Sequence, residues 1–356
     1  MATQHDGEGR IRIGISVGDI NGIGLEVIMK TFEDHRMLTV CTPVIYCNHR
    51  ILSHQKKVLE LADFNFTSIK NIDSLIYKKV NVLNTWEEDV QTEFGQATPN
   101  GGKYAFKSLE AAAIDLHKGK TDAIVTAPIN KSNIQQPGFE FPGQTEYFAD
   151  KFDGKNYIMM LVSGDLRVGV VTGHIPLKKV SESISIDKIL QKIRAMNKSL
   201  KEDFGIDKPK IAVLGINPHS GDNGLIGSEE KDIIIPAIKK AFDEKLVVMG
   251  PYSADGFFGS GIYNQFDGVL AMYHDQGLIP FKSLAFDSGV NFTAGLEIVR
   301  TSPDHGVGYD IAGKNLASES SFREAIYLAC DITEKRKEYS EISNDPLRFS
   351  KHVRDH

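Results

Sequence analysis

His174, His219 and His274 each stand just beyond a short apolar run, in V-G-V-V-T-G-H, I-A-V-L-G-I-N-P-H and G-V-L-A-M-Y-H. A buried strand that ends in a polar side chain delivers it to the carboxyl edge of a sheet, where open α/β proteins place their ligand sites. Neutral imidazole binds zinc and related divalent ions, and three such ligands leave a coordination position open. The repetition suggests one shared metal site, although any one of these histidines alone would serve equally as a surface or satisfied core residue. His5, His35, His49, His54, His117, His352 and His356 lack the pattern and are read in that second way. Asp222 and Asp275 follow closely in P-H-S-G-D-N-G and Y-H-D-Q-G. Such carboxylates can orient an imidazole or join its metal, and they suit solvated loops just as well.

Beyond His274 come Lys282, Asn291 and Arg300, in G-L-I-P-F-K, G-V-N-F and I-V-R-T-S. Two cations and an amide among apolar neighbours suit the phosphate or carboxylate of a small substrate; singly, each cation would read as a solvated surface charge. Near the start, an apolar run enters G-D-I-N-G-I-G ahead of a helical segment. Backbone amides at a helix N-terminus can receive an anion there, or the glycines can simply allow a tight connection. The spacing departs from G-x-G-x-x-G, so a Rossmann fingerprint is excluded.

The elements that must position these residues alternate. Strand-like runs at Ile11 to Val17, Pro43 to Cys47, Asp122 to Ala127, Tyr157 to Val162, Arg167 to Thr172 and Ile211 to Gly215 are interleaved with helical patterns at Leu25 to Phe32, Ile51 to Leu61, Tyr104 to His117, Ile186 to Phe204 and Ser228 to Glu244. Gly268 to Met272 is the last clear buried strand. Alternation of this kind predicts parallel sheets covered by helices. No repeat or Pro/Gly/Ser linker separates two halves, so a second domain is expected to share the sheet through chain crossings and one lobe to be discontinuous. Apolar periodicity fades after Glu334, which predicts a charged helix end and a surface tail.

At 356 residues and 41% hydrophobic, the chain has room for about two domains of roughly 150 residues. Its 41 basic and 47 acidic side chains give a charge of −6 with the signs mixed, which predicts neither nucleic-acid nor membrane binding. Cys41, Cys47 and Cys330 form an odd set without C-x-x-C spacing, arguing against a disulfide framework or a cysteine zinc site. Met1 to Arg10 is unlike a signal peptide, and a cytoplasmic location is the expectation.

Taken together, the segments G-D-I-N-G-I-G, D-A-I-V-T-A-P-I-N-K, G-Q-T-E-Y, G-H-I-P-L, G-I-N-P-H-S-G-D-N-G, G-P-Y-S-A-D, Y-H-D-Q-G, G-V-N and R-T-S-P-D-H-G resemble the 4-hydroxythreonine-4-phosphate dehydrogenase family from about Ile13 to Asp331. The resemblance implies an α/β fold like that of isocitrate and isopropylmalate dehydrogenases, two α/β/α lobes around a cleft. The lobes are expected at 10–130 plus 251–335 (cofactor side) and 131–250 (dimer contacts), with a tail at 336–356. It further implies a homodimer in which His174, His219 and His274 hold a divalent zinc, cobalt or magnesium ion shared between subunits. Gln144, Thr145, Lys282, Asn291 and Arg300 fall on substrate positions, and Asp304, His305 and Gly306 lie in a segment that resembles the cofactor side of isopropylmalate dehydrogenase, for NAD or NADP. Asp275 and Lys282 are the catalytic candidates, with Asp255 as an alternative base.

The implied reaction oxidises and decarboxylates 4-phosphooxy-L-threonine to 3-amino-2-oxopropyl phosphate on the route to pyridoxine 5'-phosphate. Gln144 departs from the pattern, replacing the family's histidine, and Ile20, Asn21 and Leu25 depart from it in the first loop. Gln144 cannot carry a proton's charge to an anion, which keeps open a sister activity on D-threonate or D-erythronate 4-phosphate, or a binding protein without turnover.

Overall fold

In the computed structural model, which describes residues 9–344, the alternating pattern folds into one 12-stranded sheet. Its strands are β1 (Arg12–Ser16), β2 (Thr42–Tyr46), β3 (Thr67–Ile69), β4 (Asn81–Leu83), β5 (Ala123–Thr126), β6 (Ile158–Ser163), β7 (Leu166–Thr172), β8 (Lys210–Leu214), β9 (Val247–Tyr252), β10 (Gly268–Tyr273), β11 (Val290–Ala294) and β12 (Arg300–Pro303). Their order across the sheet is β3-β4-β2-β1-β5-β12-β11-β6-β7-β10-β8-β9.

β1 and β5 are mostly apolar because helices cover both faces: all of β5 is buried, as is β1 after its first residue. Helix starts follow local chemistry. Thr98 accepts a hydrogen bond from the Gly101 N–H ahead of Pro99–His117, and Ser185 does the same for Lys188 ahead of Ile186–Glu202. The Ile186–Glu202 helix buries Ile189, Leu190, Ile193, Met196 and Leu200 on one side. Full burial of one such side chain contributes about 1.5–3 kcal/mol.

Parallel pairing holds within each half of the sheet, from β3 to β12 and from β7 to β9. At the junction, β11 runs antiparallel to both β12 and β6, and β6 antiparallel to β7. The expected parallel pairing is interrupted only there, and two further strands, β11 and β12, follow Gly268 to Met272. β11 and β12 escaped the apolar pattern because Asn291 and Arg300 interrupt it.

The chain crosses between the halves later than expected. β10 pairs with β7 and β8, and β11 pairs with β6, so the return to the first half comes at β12 and not near residue 251. The expected tail is partly helix: Ser320–Asn344 packs along β12 and β5, while residues 345–356 lie outside the described residues. Cys41, Cys47 and Cys330 are free and buried. No helix among the described residues is long and apolar enough to cross a membrane.

Candidate active site

β7, β10 and β8 are parallel neighbours, so the residues that follow them emerge at one edge. His174 comes two residues after β7, and His274 opens the helix His274–Ala285 directly after β10. Their rings lie 5.4 Å apart between centroids. Burial, the charge of Lys131 and His274 itself hold the His174 imidazole below its ordinary range, which favours the neutral form that a metal needs. His274 Nδ1 lies 2.7 Å from Asp275 Oδ1, so the carboxylate orients the ring and leaves Nε2 free.

His219 is not with them. It sits in a loop after β8 where His219, Ser220, Gly221, Asp222, Asn223 and Gly224 all have positive φ, from 41° to 99°. A side chain in that conformation costs roughly 1–2 kcal/mol per residue, so something must hold the turn. The buried Glu230 does: its Oε1 accepts the N–H groups of Ile216 and Asn217 at 2.8 and 2.7 Å, and its Oε2 accepts Asn217 Nδ2 at 2.9 Å. Glu230 begins a π-helical turn, Glu230–Ile234, that runs into the helix Ile235–Asp243, where one continuous helix was expected. His219 itself is exposed. Among the described residues no three His, Cys, Asp or Glu side chains gather into a metal site. One chain therefore assembles two of the three imidazoles.

The His174–His274 pair lines a cleft of about 320 Å³ over the junction strands. Gln144, Thr145, Lys282, Asn291, Arg300, Asp304, His305 and Gly306 all line it. Lys282 Nζ lies 3.2 Å from Asp304 Oδ1; burial nevertheless pushes the Asp304 carboxyl up, against the pull of Lys282. His305 is held low by burial. Two polar atoms of this wall, Asn291 Oδ1 and His305 Nε2, are buried without a protein partner, which a ligand could supply.

Arg300 is the deepest charge on the cleft wall, 3% exposed, and burial lowers its guanidinium to about 10 against the pull of Glu146. It lies at the start of β12, beside Thr126 at the end of β5. Sequence reading missed Thr126, Lys131 and Glu146 on the cleft wall. Their signal was available in T-A-P-I-N-K and G-Q-T-E, but no spacing marks them as cleft residues without the fold.

Asp255 is outside the cleft: its Oδ1 accepts from Ser253 Oγ and the Gly256 N–H. Asp275 turns to His274, as a carboxylate that orients an imidazole would, and is not on the cleft wall of this chain. The G-D-I-N-G-I-G loop is a tight connection and not an anion cradle. Asp19 fills it, accepting the Asn21 N–H at 2.9 Å, Asn133 Nδ2 at 2.7 Å and the Tyr309 hydroxyl at 2.7 Å, while the Gly22 and Ile23 amides donate to Asp19 and Val307 carbonyls.

Comparison with known proteins agrees with this architecture. A sequence profile described as pyridoxal phosphate biosynthetic protein PdxA matches residues 39–329. A Bacteroides thetaiotaomicron protein named 4-hydroxythreonine-4-phosphate dehydrogenase is 49% identical over 96% of this chain and 94% of its own length. An Oceanobacillus iheyensis protein, provisionally named D-threonate 4-phosphate dehydrogenase, is 38% identical over 90% of this chain and 97% of its own. Among solved structures, the 4-hydroxythreonine-4-phosphate dehydrogenase of Klebsiella pneumoniae superposes with a TM-score of 0.77 at 33% identity, covering 91% of this chain and 98% of that one.

Proposed function

Since the chain belongs to the family of the pyridoxal phosphate biosynthetic protein PdxA, we propose that it is a cytoplasmic dehydrogenase that oxidises 4-phosphooxy-L-threonine with NAD and releases 3-amino-2-oxopropyl phosphate. The observation that carries this reading is the meeting, in one cleft, of the His174–His274 pair with the cations Lys282 and Arg300. A phosphorylated hydroxy acid needs both.

The reaction removes a hydride from C3 and a proton from its hydroxyl; NAD, when bound, would supply the hydride acceptor, and the proton would leave to solvent or a base. The resulting β-keto acid loses carbon dioxide, and the electron pair of the broken bond is protonated at carbon. Lys282 and Asn291 would hold the anionic ends, with the buried positive charge of Arg300 behind them, and so fix the reacting carbon, which removes most of the entropic barrier. Lys282, paired with Asp304, also offsets the negative charge that grows as the proton leaves. Asp304, His305 and Gly306, on the cleft wall, are the residues that would hold the NAD.

His174 and His274 fit a divalent zinc, cobalt or magnesium ion because one is held neutral and the other is oriented by a carboxylate. When bound, that ion supplies Lewis acidity to the oxygen being oxidised. The third imidazole is His219 of a second copy of this chain: the exposed His219 loop carries Leu225 and Ile226, which are 82% and 40% exposed, as an inter-subunit contact requires.

The relative named for D-threonate 4-phosphate, together with Gln144, supports a second reading in which the substrate is a phosphorylated sugar acid. NADH release measured side by side on 4-phosphooxy-L-threonine, D-threonate 4-phosphate and D-erythronate 4-phosphate separates the two. The first is expected to give the highest kcat/KM, and a chelator to abolish turnover until zinc, cobalt or magnesium is returned. Full turnover by metal-free protein would overturn the role given to the histidines.

A further inference from the structure

Gln144 opens the helix Gln144–Lys151 and is buried. Its amide is committed at both ends. Oε1 accepts from Arg300 Nη2 at 2.6 Å, and Nε2 donates to the Ala127 carbonyl at 3.1 Å. Flipping the amide would set its NH2 group against an arginine N–H and its oxygen against a carbonyl, so this orientation is fixed.

Arg300 is committed as fully. Its Nε and Nη2 donate to Thr126 Oγ1 at 3.2 and 2.8 Å, and its Nη1 donates to Thr145 and Thr293 Oγ1 at 3.4 and 3.3 Å. With the bond to Gln144, all five N–H groups of the fork meet uncharged oxygens. No carboxylate among the described residues forms an ion pair with it. The charge is held rigidly with no bonded counter-ion, Glu146 acting on it only at a distance, which is how a protein prepares a site for an anion.

We infer that Gln144 and Thr126 are positioning residues for Arg300, and that Gln144 acts on the substrate's anionic end through that guanidinium and not by touching the substrate. The neutral amide keeps this bridge at every pH. A protonated imidazole at 144 could not accept from Arg300 and would set a second positive charge beside it. The departure at Gln144 is then a change in how the arginine is held, with the anion-binding function retained. Thr145, whose oxygen accepts from Arg300 and whose hydroxyl proton is free for the cleft, relays the charge.

This inference rests on the cleft taking an anionic substrate, so its test includes a binding readout independent of turnover. Inorganic phosphate is titrated by calorimetry into wild type, Gln144→Ala, Gln144→Glu, Thr126→Val, Arg300→Lys and the double variant Gln144→Ala/Arg300→Lys, with KM, kcat and thermal midpoint recorded for each. Gln144→Ala is expected to weaken phosphate and raise KM about tenfold with a smaller change in kcat, and to add little once Arg300 is already replaced. Thr126→Val should behave in the same way. Gln144→Glu gives the buried guanidinium a counter-ion, so the thermal midpoint holds or rises while phosphate binding falls at least about tenfold. A merely structural role would move stability and affinity together. Additive losses in the double variant, or wild-type phosphate binding by Gln144→Glu, overturn the inference; wild-type protein that binds no phosphate overturns its premise. Coupling in phosphate binding without turnover of 4-phosphooxy-L-threonine would leave the inference standing and move the substrate assignment instead.

Discussion

Two glycine-rich loops follow buried strands, one after β1 and one after β8, and each is organised by a buried carboxylate that collects three donors. Asp19 gathers Asn21, Asn133 and Tyr309; Glu230 gathers the backbone N–H groups of Ile216 and Asn217 and the Asn217 side-chain amide. The construction is the same and the outcome opposite. The first loop turns inward, with Asp19 and Ile20 fully buried. The second turns outward through six left-handed residues and exposes His219, Asp222 and Asn223. Glycine and carboxylate patterns thus mark a tight turn without telling whether it closes the core or presents a ligand. What separates the two is where the remaining polar groups are spent.

The sharpest way to break this contrast is subunit complementation. His219→Ala and His274→Ala are each expected to lose turnover by roughly 10³-fold or more while keeping the thermal midpoint, since neither side chain is core. Refolded together as an equal mixture, they should regain about a quarter of wild-type activity, because about half the dimers are mixed and one site in each mixed dimer is whole. No recovery on mixing would place all three histidines in one chain's site and make the outward loop a bystander.

A smaller effect distinguishes the two carboxylates. Asp19→Asn and Glu230→Ala each strand buried donors and are expected to cost about 2–4 kcal/mol of stability by chemical denaturation. Per folded molecule, however, Asp19→Asn should keep kcat/KM within about threefold, whereas Glu230→Ala should lose it by about a hundredfold as His219 loses its placement. Equal catalytic losses would mean that the inward loop also shapes the site.

These pairs explain what was legible in the sequence. Strand-end histidines at 174 and 274 could be read because a parallel strand with both faces covered is a run of apolar residues, and the run's end marks the sheet edge. The same logic does not reach His219, five residues past β8 on left-handed backbone, where the strand's end no longer sets the side chain's position. It also failed at β11 and β12, whose Asn291 and Arg300 break the apolar run just because they face the cleft. Thr126 was invisible for another reason: a threonine ending a strand is ordinary, and its partnership with Arg300 spans 174 residues of sequence. The role of Gln144 needed the same long-range pairing with Arg300 before an amide could be told from a substrate contact.

The finest test of the inward and outward loops uses their glycines. At Gly22 a Cβ would stand 2.2 Å from Val307 Cγ1 and 2.6 Å from the Val307 carbonyl oxygen. The side-chain methyl can rotate away, but the carbonyl oxygen accepts the Ile23 N–H and belongs to the loop's own closure. Gly22→Ala is therefore expected to destabilise by about 3 kcal/mol, read as a lower denaturation midpoint. At Gly224 nothing lies within 4 Å of a Cβ, yet φ is +99°. Gly224→Ala meets backbone strain alone, worth about 1–2 kcal/mol, and because the turn must relax locally the loss should show first as a raised metal requirement and only then as lost stability. A Gly224→Ala protein that melts as early as Gly22→Ala would mean that the outward loop is packed against something in the folded chain, and the distinction between a loop that closes and a loop that presents would have to be withdrawn.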